Sequence, residues 1–168
     1  MAFPPFFSFL PPVNPSPILS QNIMVSASGS LWLLDFGLSN RWQPGSFLET
    51  YCGTLEYAAP EVVSKEKAYE GGPCDIWSLG VVLFSMLSGL FPFEEESVPL
   101  TLEKMQQGYK AIKFPSSIPK DALSLFEIIF DPDPSTRATI ADIEAHPWMS
   151  DPNEEGQKKA LAYFASLD

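Results

Sequence analysis

The chain has 168 residues, a formal net charge of −11 and a hydrophobic fraction of 45%, which is the size and texture of one domain able to bury a core. The acidic balance argues against nucleic acid and against a membrane surface as partners, since both need clustered Lys and Arg, and it favours basic peptides or basic partner proteins. Cys52, Cys74 and the single His146 are too few for a disulfide framework or a structural zinc site, so a reducing intracellular compartment, cytoplasmic or nuclear, is expected.

Residues 1–21 are rich in Pro and Phe, carry no charge and show neither a helical nor a strand period. The segment is expected not to order by itself, and its prolines and lack of a basic start argue against a secretory leader. From Asn22 the texture changes. "NIMV" and "LWLLDF" read as two short strands around "SASGS", a β-hairpin ending in Asp35. The polar stretch from Leu38 to Ala58 is too long for a simple connection and reads as a functional loop or a disordered one.

Pro60 opens a short helix expected to end at Gly71, Gly72 and Pro73, and Asp75 stands where an N-cap belongs. The apolar run from Ile76 to Leu90 would rise about 22 Å as a helix, short of the roughly 30 Å hydrocarbon core. Apolar on nearly all sides, it reads as a central buried helix. "SVPLTLEKMQQG" and "PKDALSLFEIIF" read as amphipathic helices, "TIADIEAHPWM" as a third that starts at Thr139, and "EEGQKKALAYFASL" as a surface helix.

Asp35, at the end of an apolar strand, reads by itself as a turn or capping residue, and Asn22 as a turn Asn before a strand. Glu61 lies in a mostly buried segment and needs a cationic partner, for which Arg137 offers a bidentate fork. His146 is expected to be satisfied in packing rather than to act as a base.

In order along the chain, Asn22, Asp35-Phe36-Gly37, "TYCGTLEYAAPEVV", "DIWSLGVVLFSMLSGLFPFEEE" and "DPSTRATIADIEAHPWM" resemble the C-terminal lobe of a eukaryotic Ser/Thr protein kinase. They look most like the AMP-activated kinase and its relatives in the calmodulin-kinase-like group. The resemblance covers Asn22 to Met149 and implies a mainly α fold with a small β-hairpin. It divides the chain into residues 1–21, a partial kinase domain over 22–149 and a tail helix over 150–168.

The resemblance also assigns roles. It implies Mg²⁺ and ATP as cofactors, with Asp35 and Asn22 holding the metal, and protein substrates or an upstream kinase as partners. Thr50 would be the activation-loop phosphorylation site, with Arg41 as a nearby partner for its phosphate; otherwise it is an exposed loop hydroxyl. Thr54, Glu56 and Tyr57 resemble the stretch that faces the substrate beside the phosphoacceptor. Asp75 would hydrogen-bond the backbone of the catalytic loop, a role compatible with the N-cap.

The pattern breaks before Asn22. The family places a His-Arg-Asp-x-Lys-x-x-Asn loop there, and counting back from Asn22 those positions hold Pro15, Ser16, Pro17 and Leu19. Neither Pro nor Leu can orient a substrate hydroxyl or steady a γ-phosphate. A Gly-rich loop and its partner Lys and Glu are also missing from these residues, so the N-terminal lobe is expected to be absent and part of the central helix to lie uncovered. The expectation is a Ser/Thr kinase by descent that cannot transfer phosphate alone. The alternative is an interaction module that competes for kinase substrates or partners.

Overall fold

The computed structural model describes residues 13–14, 18–26, 29–36, 40–41, 47–48, 54–64 and 68–150. Four short strands precede the helices: Val13–Asn14 (β1), Ile23–Val25 (β2), Leu31–Leu33 (β3) and Asn40–Arg41 (β4). β2 and β3 form the hairpin, antiparallel, with Met24 opposite Trp32. Ser26 closes its turn: the Ser26 carbonyl accepts from the Gly29 amide and its Oγ accepts from the Ser30 amide, at 2.8 and 2.9 Å. Side chains alternate between faces: Ile23 and Leu33 pack against the core, whereas Met24 and Trp32 stay 56% and 60% exposed. Inside the Pro/Phe-rich segment, β1 pairs antiparallel with β4 and Ile18 is buried in the core.

The helices are Pro60–Ser64 (α1), Gly71–Ser88 (α2), Val98–Gln107 (α3), Leu123–Ile129 (α4), Ile140–Glu144 (α5) and Pro147–Ser150 (α6). Two sequence expectations need correction here. Gly71, Gly72 and Pro73 begin α2 instead of ending the helix before it, because a proline in the first turn forfeits no intrahelical donor. Asp75 therefore lies inside α2, and the N-cap position belongs to Glu70. The connection between α1 and α2 is held by Tyr69, which exchanges backbone hydrogen bonds of 2.8 and 3.0 Å with Leu48.

α2 is the axle of the fold. By length and composition it could cross a membrane, but Trp77 and Val81 have no exposed surface and Phe84 almost none, the pattern of a core helix. Trp77 stacks on Phe93 at 4.9 Å between centroids and meets Phe130 edge-on at 5.1 Å, arrangements that add to area burial. Gly80 faces α4 so closely that a Cβ there would collide with the Ile129 side chain and lie 3.0 Å from the Phe130 ring. The helix ends on Gly89, whose φ of 74° is left-handed and whose amide returns to the Ser85 carbonyl. Toward its C-terminal end Met86 is 73% exposed.

α5 begins with a capping box. The Thr139 hydroxyl accepts from the Asp142 amide, and the Asp142 carboxylate accepts from the Thr139 amide at 2.8 Å. The Thr139 hydroxyl also donates to the Asp142 carboxylate at 2.7 Å, and this bond, followed by the one from the Thr139 amide, holds the Asp142 carboxyl below the usual carboxylate range. His146 sits in packing: its Nε2 shares a hydrogen bond of 3.1 Å with Ser124 and its Nδ1 accepts from the Trp148 amide.

The close approach at Gly80 sets a test of this packing. Gly80→Ala is expected to cost ~1–3 kcal/mol, the usual range for overfilling a core. The cost should be read as a lower urea midpoint with an unchanged slope.

Candidate functional site

Asn22 closes a 3-10 turn, Ser20–Asn22, and its amide donates to the Leu19 carbonyl at 3.0 Å. The Asn22 carbonyl in turn accepts from the Leu34 amide at 2.7 Å, which fastens Asn22 beside the residue that precedes Asp35. Asp35 is exposed and has a φ of 59°, the one positive φ outside glycine among the described residues. That conformation costs an L-residue roughly 1–2 kcal/mol, and Asp is one of the few that tolerate it. Strain of this kind recurs where a backbone must aim a side chain.

One carboxylate and one amide oxygen suit Mg²⁺, which keeps several waters and is commonly completed by phosphate oxygens rather than by an all-protein cage. Among the described residues no group of three or more His, Cys, Asp or Glu could enclose a metal. The donor set at Asn22 and Asp35 fits a cation shared with a polyphosphate and does not fit a resident structural ion.

Before the exposed Ser20 and Gln21 that precede Asn22, the chain is apolar and turned inward. Ile18 is buried and Leu19 packs against the core. Pro15, Ser16, Pro17 and Thr50 lie outside the described residues.

Thr54, Glu56 and Tyr57 share one turn. Leu55–Tyr57 is a 3-10 element whose Tyr57 amide returns to the Thr54 carbonyl at 3.1 Å. Thr54 is exposed and Glu56 half-buried. Tyr57 points inward, only 4% exposed. Its hydroxyl shares a hydrogen bond of 2.8 Å with Ser20 Oγ, its carbonyl accepts from Ser78 Oγ at 2.9 Å, and its ring meets Phe91 edge-on at 5.4 Å. Sequence reading does not single out Ser20, Ser78 or Phe91, because lone hydroxyls and rings at no repeating spacing give no signal.

Behind this turn lies an ion-pair corner. Arg137 donates to both carboxylate oxygens of Glu61, at 2.7 and 2.9 Å, and to the carbonyls of Asp131 and Pro73 at 2.9 and 2.8 Å. The Trp77 ring covers the guanidinium at 5.0 Å. Cys74 Sγ donates to Glu61 Oε1 at 3.3 Å; burial pushes this thiol's pKa far up, and the Glu61 carboxylate pushes the same way. A cleft of about 380 Å³ opens alongside, lined by Phe47, Ser64, Tyr69, Glu70 and Pro134 as well as Glu61. Neither Asn22 nor Asp35 lines it, so the two expected metal ligands lie away from this cleft. Asp75, one turn into α2, is half-buried, and loss of hydration pushes its carboxyl up to about 8.

Two outcomes follow from this geometry. Arg137→Ala leaves the Glu61 carboxylate without its partner inside the fold, and the expected loss is about 3–5 kcal/mol in chemical denaturation. For Asp75 the folded pKa lies above the unfolded one, so the folded state holds more protons between about pH 4 and 8. Its contribution is present at the acidic end and lost as pH rises to about 8. Asp75→Asn is expected to flatten that part of the profile and to gain stability relative to the parent at pH 8, measured by thermal melts across the range.

Residues 18–149 match the family model of the protein kinase domain. The chain is 37% identical over 142 residues to the probable serine/threonine-protein kinase MARK-C of Dictyostelium discoideum, covering 84% of this chain and 18% of that protein. It is 38% identical over 130 residues to the probable serine/threonine-protein kinase MARK-A of the same organism, covering 77% and 12%. It is 35% identical over 142 residues to protein kinase kin1 of Schizosaccharomyces pombe, covering 84% and 16%. The chain thus spans less than a fifth of the length of these curated relatives.

Proposed function

This chain belongs to the protein kinase domain family, and on that premise we propose that it is C-terminal-lobe sequence of a Ser/Thr kinase that binds protein partners without transferring phosphate itself. The proposed kinship extends to the AMP-activated-kinase-related, calmodulin-kinase-like group, for which the order and wording of its motifs are the support. The observation that carries the reading is Leu19. Where a kinase of this family has the Lys that steadies the γ-phosphate, an aliphatic side chain packs against the core. Pro17 stands at the position of the Asp that accepts the substrate proton, and a prolyl ring has no group for that task.

What the chain retains is one side of the chemistry and a protein-facing side. Mg²⁺–ATP, when bound to a complete kinase site, supplies the phosphoryl group and neutralises its charge. Asp35 and Asn22 are the residues that would hold the metal here, and with two ligands they would hold it weakly. The turn bearing Thr54 and Glu56 directs both toward a partner, and the net charge of −11 selects for basic protein segments over nucleic acid or membrane. Thr50 is the residue an upstream kinase would modify, adding nearly two negative charges that a cationic side chain can pair. An intracellular setting follows from that partnership.

The test uses the 168-residue protein, a basic Ser/Thr peptide, the upstream kinase and labelled Mg²⁺–ATP. Expected are no phosphate incorporation above background and a peptide complex, seen by fluorescence anisotropy, that weakens as salt rises. Turnover that Asp35→Ala abolishes would overturn the non-catalytic reading. Failure to bind both the peptide and the upstream kinase would remove the protein-binding reading.

A further inference from the structure

Resting on that reading, we infer that Ser20 and Tyr57 form a latch that fixes the partner-facing turn 54–57 to the segment 18–22, so that the turn stays presented without chemistry in that segment. Tyr57 is gripped from three elements. Ser78 of α2 holds its carbonyl from beneath, Phe91 braces its ring from the side, and Ser20 reaches its hydroxyl from the strand side of the site. The first two contacts come from α2 and the loop that follows it. The Ser20 contact ties the turn to segment 18–22, across 37 residues of sequence.

Ser20 can bear that role because its neighbours are anchored. Ile18, two residues before, is 6% exposed, and Leu19 packs on the core. Asn22, two residues after, is tied through its carbonyl to Leu34, next to Asp35. The segment is thus pinned on both sides of Ser20 by contacts that need no charge, and Leu19, which stands where the family has its Lys, supplies one of them. A tyrosine hydroxyl this enclosed needs a partner to offset its lost hydration. Ser20 and Tyr57 are positioning residues: they act on Thr54 and Glu56 through the turn.

Amide hydrogen exchange on the full chain tests the latch, with Tyr57→Phe, Ser20→Ala, the double variant and Ser20→Thr. Tyr57→Phe keeps the ring against Phe91 and removes only the hydroxyl. Each of the two single removals is expected to speed exchange at the Tyr57 and Ala58 amides about fivefold, the size expected for one hydrogen bond. The double variant should do no more than either single one, Ser20→Thr should restore protection, and amides of α2 and α4 should not change. Affinity for the basic peptide should fall by a similar factor in Tyr57→Phe. Unchanged exchange over 54–58, effects that add in the double variant, or a rise spread equally through α2 and α4 would overturn the latch. If the unaltered protein binds neither the peptide nor the upstream kinase, the proposed function fails, while the exchange pattern still decides the latch by itself.

Discussion

The fold turns on one guanidinium. Arg137 has no exposed side-chain surface and Glu61, 76 residues earlier, has little, so both charges have left water and neither can be left without compensation. Compensation is complete: the five N–H groups of an arginine find Glu61 twice and the carbonyls of Asp131, Pro73 and Pro132. That set of acceptors fixes α1, the first turn of α2 and the loop before α5 relative to one another. Trp77, lying over the guanidinium, carries the constraint into the aromatic cluster with Phe93 and Phe130. The turn 54–57 is seated against this frame through Ser78, one residue beyond Trp77.

Much of this was legible because local and global preferences agree. The apolar run of α2, the amphipathic periods of α3 and α4, the hairpin's two apolar runs around a Ser/Gly turn and the cap at Thr139 each follow from local sequence. The double glycine and proline before α2 were not legible. Gly-Gly-Pro is a stop signal by composition, yet proline also suits a first turn, and which applies here depends on the Tyr69–Leu48 bridge, a contact 21 residues apart that no window sees. Asp75 moved from a cap to a helix interior as a consequence of that one boundary.

The site was legible in a different way. Nothing in periodicity assigns a metal role to Asn22 or Asp35; that role came from the order of motifs. What the residues add is geometry: a left-handed Asp at the strand end and a carbonyl bond that sets Asn22 beside it. Ser20 and Ser78 had no signal of any kind, since a hydroxyl acquires its partner only when the chain has brought Tyr57 to it. Leu19 was plain in the sequence as a loss, and only the fold displays its structural use, beside Ile18, in securing the segment that carries Ser20.

Cys74 gives this architecture a reporter of its own. Its sulfur donates to the carboxylate that Arg137 grips and to the Glu70 carbonyl, and only 7% of the residue is exposed. A thiol kept protonated and enclosed does not react with alkylating reagents, since the thiolate is the nucleophile. Capture of Cys74 by such a reagent therefore requires the corner to come apart. Its rate counts, molecule by molecule, how often the joint between α1, α2 and the 131–137 loop lets go.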